Sequence, residues 1–243
     1  MDEPDLNPAP GRRLPFDTRL IAIFLAILAI LGFAILASVV AQGGTAGFDR
    51  PIITALRTST DLATPRGPRW LNSAMTDITA LGGTTVLTVI TIIVAAFLLI
   101  ARRARLALLV ALGVSFGAIF GTTLKALFGR ARPDIVEHLV HETSLSFPSG
   151  HAMNSAVVYL TLGALLARSQ QSRAARAYLM SVAALLTLTI GCSRVYLGVH
   201  WPSDVVAGWS VGAVWALLMS LLAARLQREH KIEQPTPATE PTT

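Results

Sequence analysis

Six stretches of mostly apolar residues alternate along the chain with short polar or charged connections. Leu20–Val40, Met75–Ala101, Leu106–Phe128, Tyr178–Val199 and Val205–Ala224 each supply the roughly 20 residues with which a helix crosses bilayer hydrocarbon. Ala152–Ala167 is shorter, but a helix beginning at Ser149 reaches nearly the same length. The pattern therefore predicts an all-α, polytopic membrane protein with six transmembrane helices in one bundle. Arg12, Arg13 and Arg19 precede the first stretch and V-V-A ends it near Ala41, as in a signal peptide. Its apolar run is longer than a signal core, so a retained anchor is expected.

The connections set the orientation. Arg12, Arg13 and Arg19, then Arg102, Arg103 and Arg105, then Arg168, Arg173 and Arg176, and finally Arg225, Arg228 and Lys231 fall on alternate connections and so on one side. Such clustering follows the positive-inside rule and places both termini in the cytoplasm. The 41–74 connection, the 129–150 loop and the turn near His200 then face the extracytoplasmic side. The 41–74 connection mixes Gly, Pro and four arginines with apolar residues and is expected to form a short interfacial helix. Residues 1–15 and 229–243, rich in Pro, Thr and charge, read as disordered tails flanking a 16–228 domain.

Composition agrees with a membrane protein: 53% of the 243 residues are hydrophobic and 14% are charged. The formal net charge of +6 is spread in small groups at span ends, which argues for membrane orientation and against nucleic-acid binding. Cys192 is the sole cysteine, so no intramolecular disulfide forms, and a small buried apolar role is expected for it.

Three polar islands, all on the expected outer side, carry the candidate chemistry. The first runs from Lys125 to Pro133 as K-A-L-F-G-R-A-R-P. On a continuous helix Lys125 and Arg132 share a face, being nearly two turns apart. Arg130 reads as a snorkelling cation at a span end. The second island, P-S-G-H at Pro148–His151, opens the fourth span with a capping serine. A helix N-terminus favours anions, Gly150 allows close approach, Ser149 offers a hydroxyl and His151 a proton. In the third, Ser193–Asp204, Arg194 presents a planar fork of donors for phosphate oxygens. His200 and Asp204 are four apart, so the carboxylate can fix the imidazole tautomer and leave the other nitrogen as nucleophile. Ser203 reads as a cap for the last span. His138 and His141, with Glu137 and Glu142, form an H-x-x-H that is weak evidence for metal, and headgroup selection or solvation explains it better. Leu139, Val140 and the neighbouring acids are expected at the substrate entrance. Ionisable groups at a membrane are costly and mark function, and these suit phosphoryl transfer by positioning and charge stabilisation.

The spaced pattern K-x6-R-P, P-S-G-H and S-R-x5-H-x3-D across residues 125–204 resembles the type 2 phosphatidic acid phosphatase superfamily, in its six-span lipid phosphatase branch. Asp134 follows R-P where many members repeat a basic-proline pair. The resemblance implies a metal-independent, cofactor-free phosphatase acting on a membrane lipid phosphate. His200 would be the nucleophile oriented by Asp204, and His151 the general acid and base. Lys125, Arg132, Ser149, Gly150 and Arg194 would bind the phosphoryl oxygens. Expected substrates are phosphatidate, phosphatidylglycerol phosphate or a polyprenyl diphosphate. A phosphotransferase of the same superfamily, or a non-catalytic transporter or scaffold binding phosphorylated lipids, are the alternatives.

Overall fold

A computed structural model describes residues 16–229 and 231–233. These residues form helices joined by turns and loops, in the order α1 (Phe16–Ala41), α2 (Ala46–Ala55), α3 (Arg69–Ala80), α4 (Thr84–Ile100), α5 (Ala104–Phe128), α6 (Gly150–Arg168), α7 (Arg173–Tyr196) and α8 (Pro202–Arg228). Five of them, α1 and α5 to α8, are each long and apolar enough to span a bilayer. The pair α3 and α4, bent by 47°, is apolar enough to make a sixth when the two are taken together as one broken span. The bend interrupts the Met75–Ala101 run expected as one helix, and it falls at Gly82 and Gly83. A Cβ at Gly82 would lie 2.4 Å from Ile190 Cγ2 of α7 and 3.4 Å from the His151 ring. Only a glycine there lets α7 and the start of α6 close over the break.

The helices are apolar on nearly all sides, as helices immersed in lipid can be, and small residues set how closely they pack. At the α6–α8 crossing, a Cβ on Gly208 would stand 2.7 Å from the Ser149 carbonyl oxygen. One on Gly212 would stand 2.5 Å from that of Met153. This G-x-x-x-G spacing brings the P-S-G-H segment against the first turn of α8, and Ser149 N–H donates to the Asp204 carbonyl at 2.9 Å. Midway, α6 widens into a π turn over Ala156–Leu160. From it the Tyr159 hydroxyl donates to the Leu81 carbonyl at the α3–α4 break, at 2.8 Å. The first span, α1, packs along α8: Ala37 and Val40 cluster with Ala207 and Phe147, and Phe33 stacks on Phe147.

The basic clusters within the described residues gather at the end of the bundle away from the polar islands. Arg105 donates to the Lys231 carbonyl at 2.9 Å, and Arg168 to the Ser220 carbonyl and hydroxyl. The expected disorder of 229–243 does not extend to residues 231–233. Ile232 is buried, and Glu233 accepts from the Arg105 and Leu106 amides, capping α5 with an acidic group. The 1–15 tail and residues 234–243 lie outside the described residues. Cys192 is exposed on α7 and not buried as expected, because its helix face is turned away from the other helices.

Candidate active site

Helix ends and one loop build the site at the opposite end of the bundle. α5 stops at Phe128 because Gly129 takes a left-handed conformation, φ 58°, and its N–H closes back on the Lys125 carbonyl. Lys125 and Arg132 therefore do not share one continuous helix, as the spacing alone suggested. They converge by a different route: Arg132 enters from the loop beyond the stop, and Lys125 rises from the last turn of α5. The Lys125 Cε lies 3.4 Å from where a Cβ of Gly150 would be, and its ammonium donates to the Leu145 carbonyl at 2.5 Å. Ser149 caps α6, its hydroxyl oxygen accepting from the Ala152 amide at 3.5 Å. His151 follows and rests against Gly82 and Gly83.

His200 sits in the turn between α7 and α8 and is 1% exposed. Its Nε2 faces Arg132 Nη1 at 3.3 Å and its Nδ1 faces Asp204 Oδ2 at 3.4 Å. A guanidinium can only donate, so Nε2 is the acceptor and Nδ1 carries the proton toward the carboxylate. Complete burial, and after it the positive charges of Arg132, Arg194 and Lys125, hold this histidine well below its ordinary titration range. The ring is neutral at pH 7, with the Nε2 lone pair directed into the cationic pocket. Asp204 is fully buried. Its Oδ2 accepts from the Trp201 amide at 2.9 Å and from the Ser146 hydroxyl.

Arg194, also buried, donates to Thr79 Oγ1 at 3.0 Å and to Glu142. Glu142 reaches Arg132 with its other oxygen at 3.4 Å. Its carboxylate thus lies between the two guanidinium groups that the sequence pattern led us to expect on phosphate. Burial would raise its titration, but Arg194 and then Arg132 outweigh that and hold it below the usual carboxylate range. The pocket opens beside a cavity of about 250 Å³ lined by residues 138–142. Leu139 and Val140 form one wall and pack on Tyr196, Leu197 and Val199. His138 Nε2 bonds the Pro133 carbonyl oxygen at 2.7 Å, and its ring closes the loop.

All eight sequence-derived site residues lie at this end of the bundle. Two other assignments change. Arg130 does not snorkel: its guanidinium bridges Asp204 Oδ1 at 2.6 Å and Asp49 Oδ2 at 2.8 Å and lies over the Trp201 ring. Ser203 does not cap α8, whose cap is Trp201. Its amide and hydroxyl instead donate to Asp49 at 2.8 and 2.7 Å. Asp49, on α2 in the 41–74 connection, is fully buried, so α2 is a docked helix. Sequence reasoning missed Asp49, Ser146, Thr79 and the inward turn of Glu142, all of which depend on long-range contacts. The Gly208–Gly212 spacing was the one visible signal for the α6–α8 approach.

Residues 104–228 match the family model of the PAP2 superfamily. The chain is 35% identical over 160 residues to phosphatidylglycerophosphatase B of Bacillus subtilis, covering 65% of this chain and 78% of that one. It is 29% identical over 147 residues to an undecaprenyl-diphosphatase of Sulfolobus acidocaldarius, covering 58% of this chain and 66% of that one. Its fold is similar to the crystal structure of a transmembrane PAP2-type phosphatidylglycerolphosphate phosphatase from Bacillus subtilis. The TM-score is 0.74 at 31% identity, over 84% of this chain and 98% of that one. With its apolar spans, its motifs and these matches taken together, the chain is a multi-pass membrane protein of the PAP2 superfamily.

Proposed function

We propose that this protein is a phosphatase that hydrolyses the phosphate ester of a membrane lipid through a phosphohistidine. The observation that carries this reading is the neutral His200 Nε2 lying 3.3 Å from Arg132, in a pocket that already grips a carboxylate between Arg132 and Arg194. In the first step Nε2 attacks phosphorus in line, forming an N–P bond as the ester P–O bond breaks. His151 gives its proton to the departing lipid oxygen. Charge on the equatorial oxygens is met by Lys125, Arg132 and Arg194 with the α6 N-terminus at Ser149 and Gly150. The His200 Nδ1 proton remains directed at Asp204, which stabilises the cationic phosphoimidazole. In the second step His151 takes a proton from water, water attacks phosphorus, the N–P bond breaks and inorganic phosphate leaves.

The three cations belong to the chain itself, and no metal or cofactor is required by these steps. The basic clusters support cytoplasmic termini, which puts the site on the extracytoplasmic side, where the bilayer presents amphiphilic substrate. The names of the relatives support phosphatidylglycerol phosphate, with a polyprenyl diphosphate as the second candidate, and the motif resemblance adds phosphatidate. The test is product analysis with purified protein in detergent over a panel of these lipids. Release of inorganic phosphate, abolished in His200→Ala, is expected. Phosphate appearing only on an added lipid acceptor would make the protein a phosphotransferase, and turnover unchanged in His200→Ala would remove the mechanism.

A further inference from the structure

We infer that Arg130 and Asp49 form a clamp that positions the Asp204 carboxylate, and through it the His200 ring, for attack. This rests on the phosphohistidine reading above. Asp204 can serve His200 only if Oδ2 is turned toward Nδ1. Three contacts hold that plane: Trp201 N–H on Oδ2 at 2.9 Å, the Ser146 hydroxyl on the same oxygen, and Arg130 Nη1 on Oδ1 at 2.6 Å. Only Arg130 among these brings a positive charge to the buried carboxylate.

The second arm of the same guanidinium is fixed as firmly. Nη2 donates to Asp49 Oδ2 at 2.8 Å and to Thr45 Oγ1 at 2.6 Å, both at the start of α2. Asp49 is itself tied to α8, receiving the Ser203 amide and hydroxyl. Arg130 also donates to Ser203 Oγ at 2.7 Å, so Asp49, Arg130 and Ser203 close a ring of hydrogen bonds from which Arg130 reaches Asp204. The Trp201 ring lies under the guanidinium, with its centroid 5.5 Å from Cζ, and its indole N–H anchors the Ala131 carbonyl at 3.1 Å. The Arg130 guanidinium does not touch the pocket where Arg132, Arg194 and Glu142 meet: its described hydrogen bonds are to Thr45, Asp49, Ser203 and Asp204. It is a positioning residue and not a phosphate ligand. A planar fork spans two carboxylates on different helices, whereas the single ammonium of lysine bonds one of them well. The outer helix α2, which supplies no group to the phosphate pocket, thereby contributes to the alignment of the nucleophile.

The experiment compares Arg130→Ala, Arg130→Lys and Asp49→Asn with the wild-type chain, in detergent micelles containing phosphatidate. It measures kcat and KM, vanadate affinity, and rescue by millimolar guanidinium. Loss of an orienting carboxylate costs about 10⁴-fold in kcat in a comparable triad, so removing the residue that holds it should cost about 10²–10³-fold. Arg130→Ala is expected to lose that much kcat, to keep KM and vanadate affinity within about threefold, and to regain activity with guanidinium. Arg130→Lys should lose about tenfold and Asp49→Asn about three- to tenfold, again in kcat. Wild-type kcat in folded Arg130→Ala would overturn the inference, as would a loss confined to KM. If Arg130→Ala does not fold, wild-type kcat in both Arg130→Lys and Asp49→Asn would overturn it equally. Full activity in His200→Ala would instead overturn the phosphohistidine reading on which it rests.

Discussion

Glu142 is the residue whose replacement should strengthen binding at the site. Its carboxylate is about one-fifth exposed and contacts two guanidinium groups that are 1% and 9% exposed. If Arg132 and Arg194 bind the phosphoryl oxygens as proposed, an incoming phosphoryl group has to displace it from both. A hydrogen bond between charged groups contributes about 1.5–3 kcal/mol net. The Arg194 contact is close and the Arg132 contact, at 3.4 Å, is long, so the lower part of that range for the pair is the safer figure. About 1.4 kcal/mol is a factor of ten in affinity. Glu142→Gln should therefore lower the inhibition constants of inorganic phosphate and vanadate by about tenfold. Glu142→Ala should do the same, which separates loss of charge from a new amide contact. Because the arginines hold the Glu142 carboxyl below the usual range, the wild-type penalty should persist across neutral and mildly acidic pH. The assay is competitive inhibition of lipid phosphate hydrolysis in mixed micelles. Unchanged or weaker inhibition in both variants would show that Glu142 does not compete for the anion position.

Other outcomes follow from the same geometry. The folded-state titration of His200 lies below the unfolded value of about 6.5. The unfolded chain therefore takes up a proton that the folded chain refuses. The stability this contributes is complete above about pH 6.5 and declines as pH falls toward the folded value. The Tm in detergent should drop between pH 7 and pH 5, with a shallower slope in His200→Gln; equal slopes would refute the assignment. Gly208→Ala would place a Cβ 2.7 Å from the Ser149 carbonyl oxygen and should destabilise by about 1–3 kcal/mol through overpacking. Its kcat should also fall, since the helices it separates carry His151 and Asp204; wild-type Tm and kcat would contradict the packing. If Lys125, Arg132 and Arg194 supply the positive charge as proposed, turnover should survive excess EDTA, and loss restored by a divalent ion would count against this mechanism.

The spans were legible because apolar length decides what a helix does in a bilayer, and α1 and α5 to α8 follow that rule. The 47° bend between α3 and α4 was not, because two glycines in an apolar run read as tolerated small residues until Ile190 and His151 are seen to need the space. Among site residues, those tied to a local pattern were visible: Ser149 as a cap, Gly150 and His151 after it, and His200 four before Asp204. Arg130 was misassigned because snorkelling and bridging look alike until the acid is located, and Asp49 lies 81 positions away. Ser203 shows the same limit, since a serine near a helix start suits a cap whether or not a distant carboxylate claims it. The Glu142 contact depends on how a loop folds back over the pocket, which no local spacing encodes.

The central claim is that His200 carries the phosphoryl group. Rapid acid-free quenching of wild-type enzyme during turnover of a radiolabelled lipid phosphate, followed by peptide mapping, tests it directly. Label that is stable in base, labile in acid and located on His200 is the predicted result, and it should be lost in His200→Ala. Label on another residue, or full turnover with no phosphoenzyme and an active His200→Ala, would contradict the account.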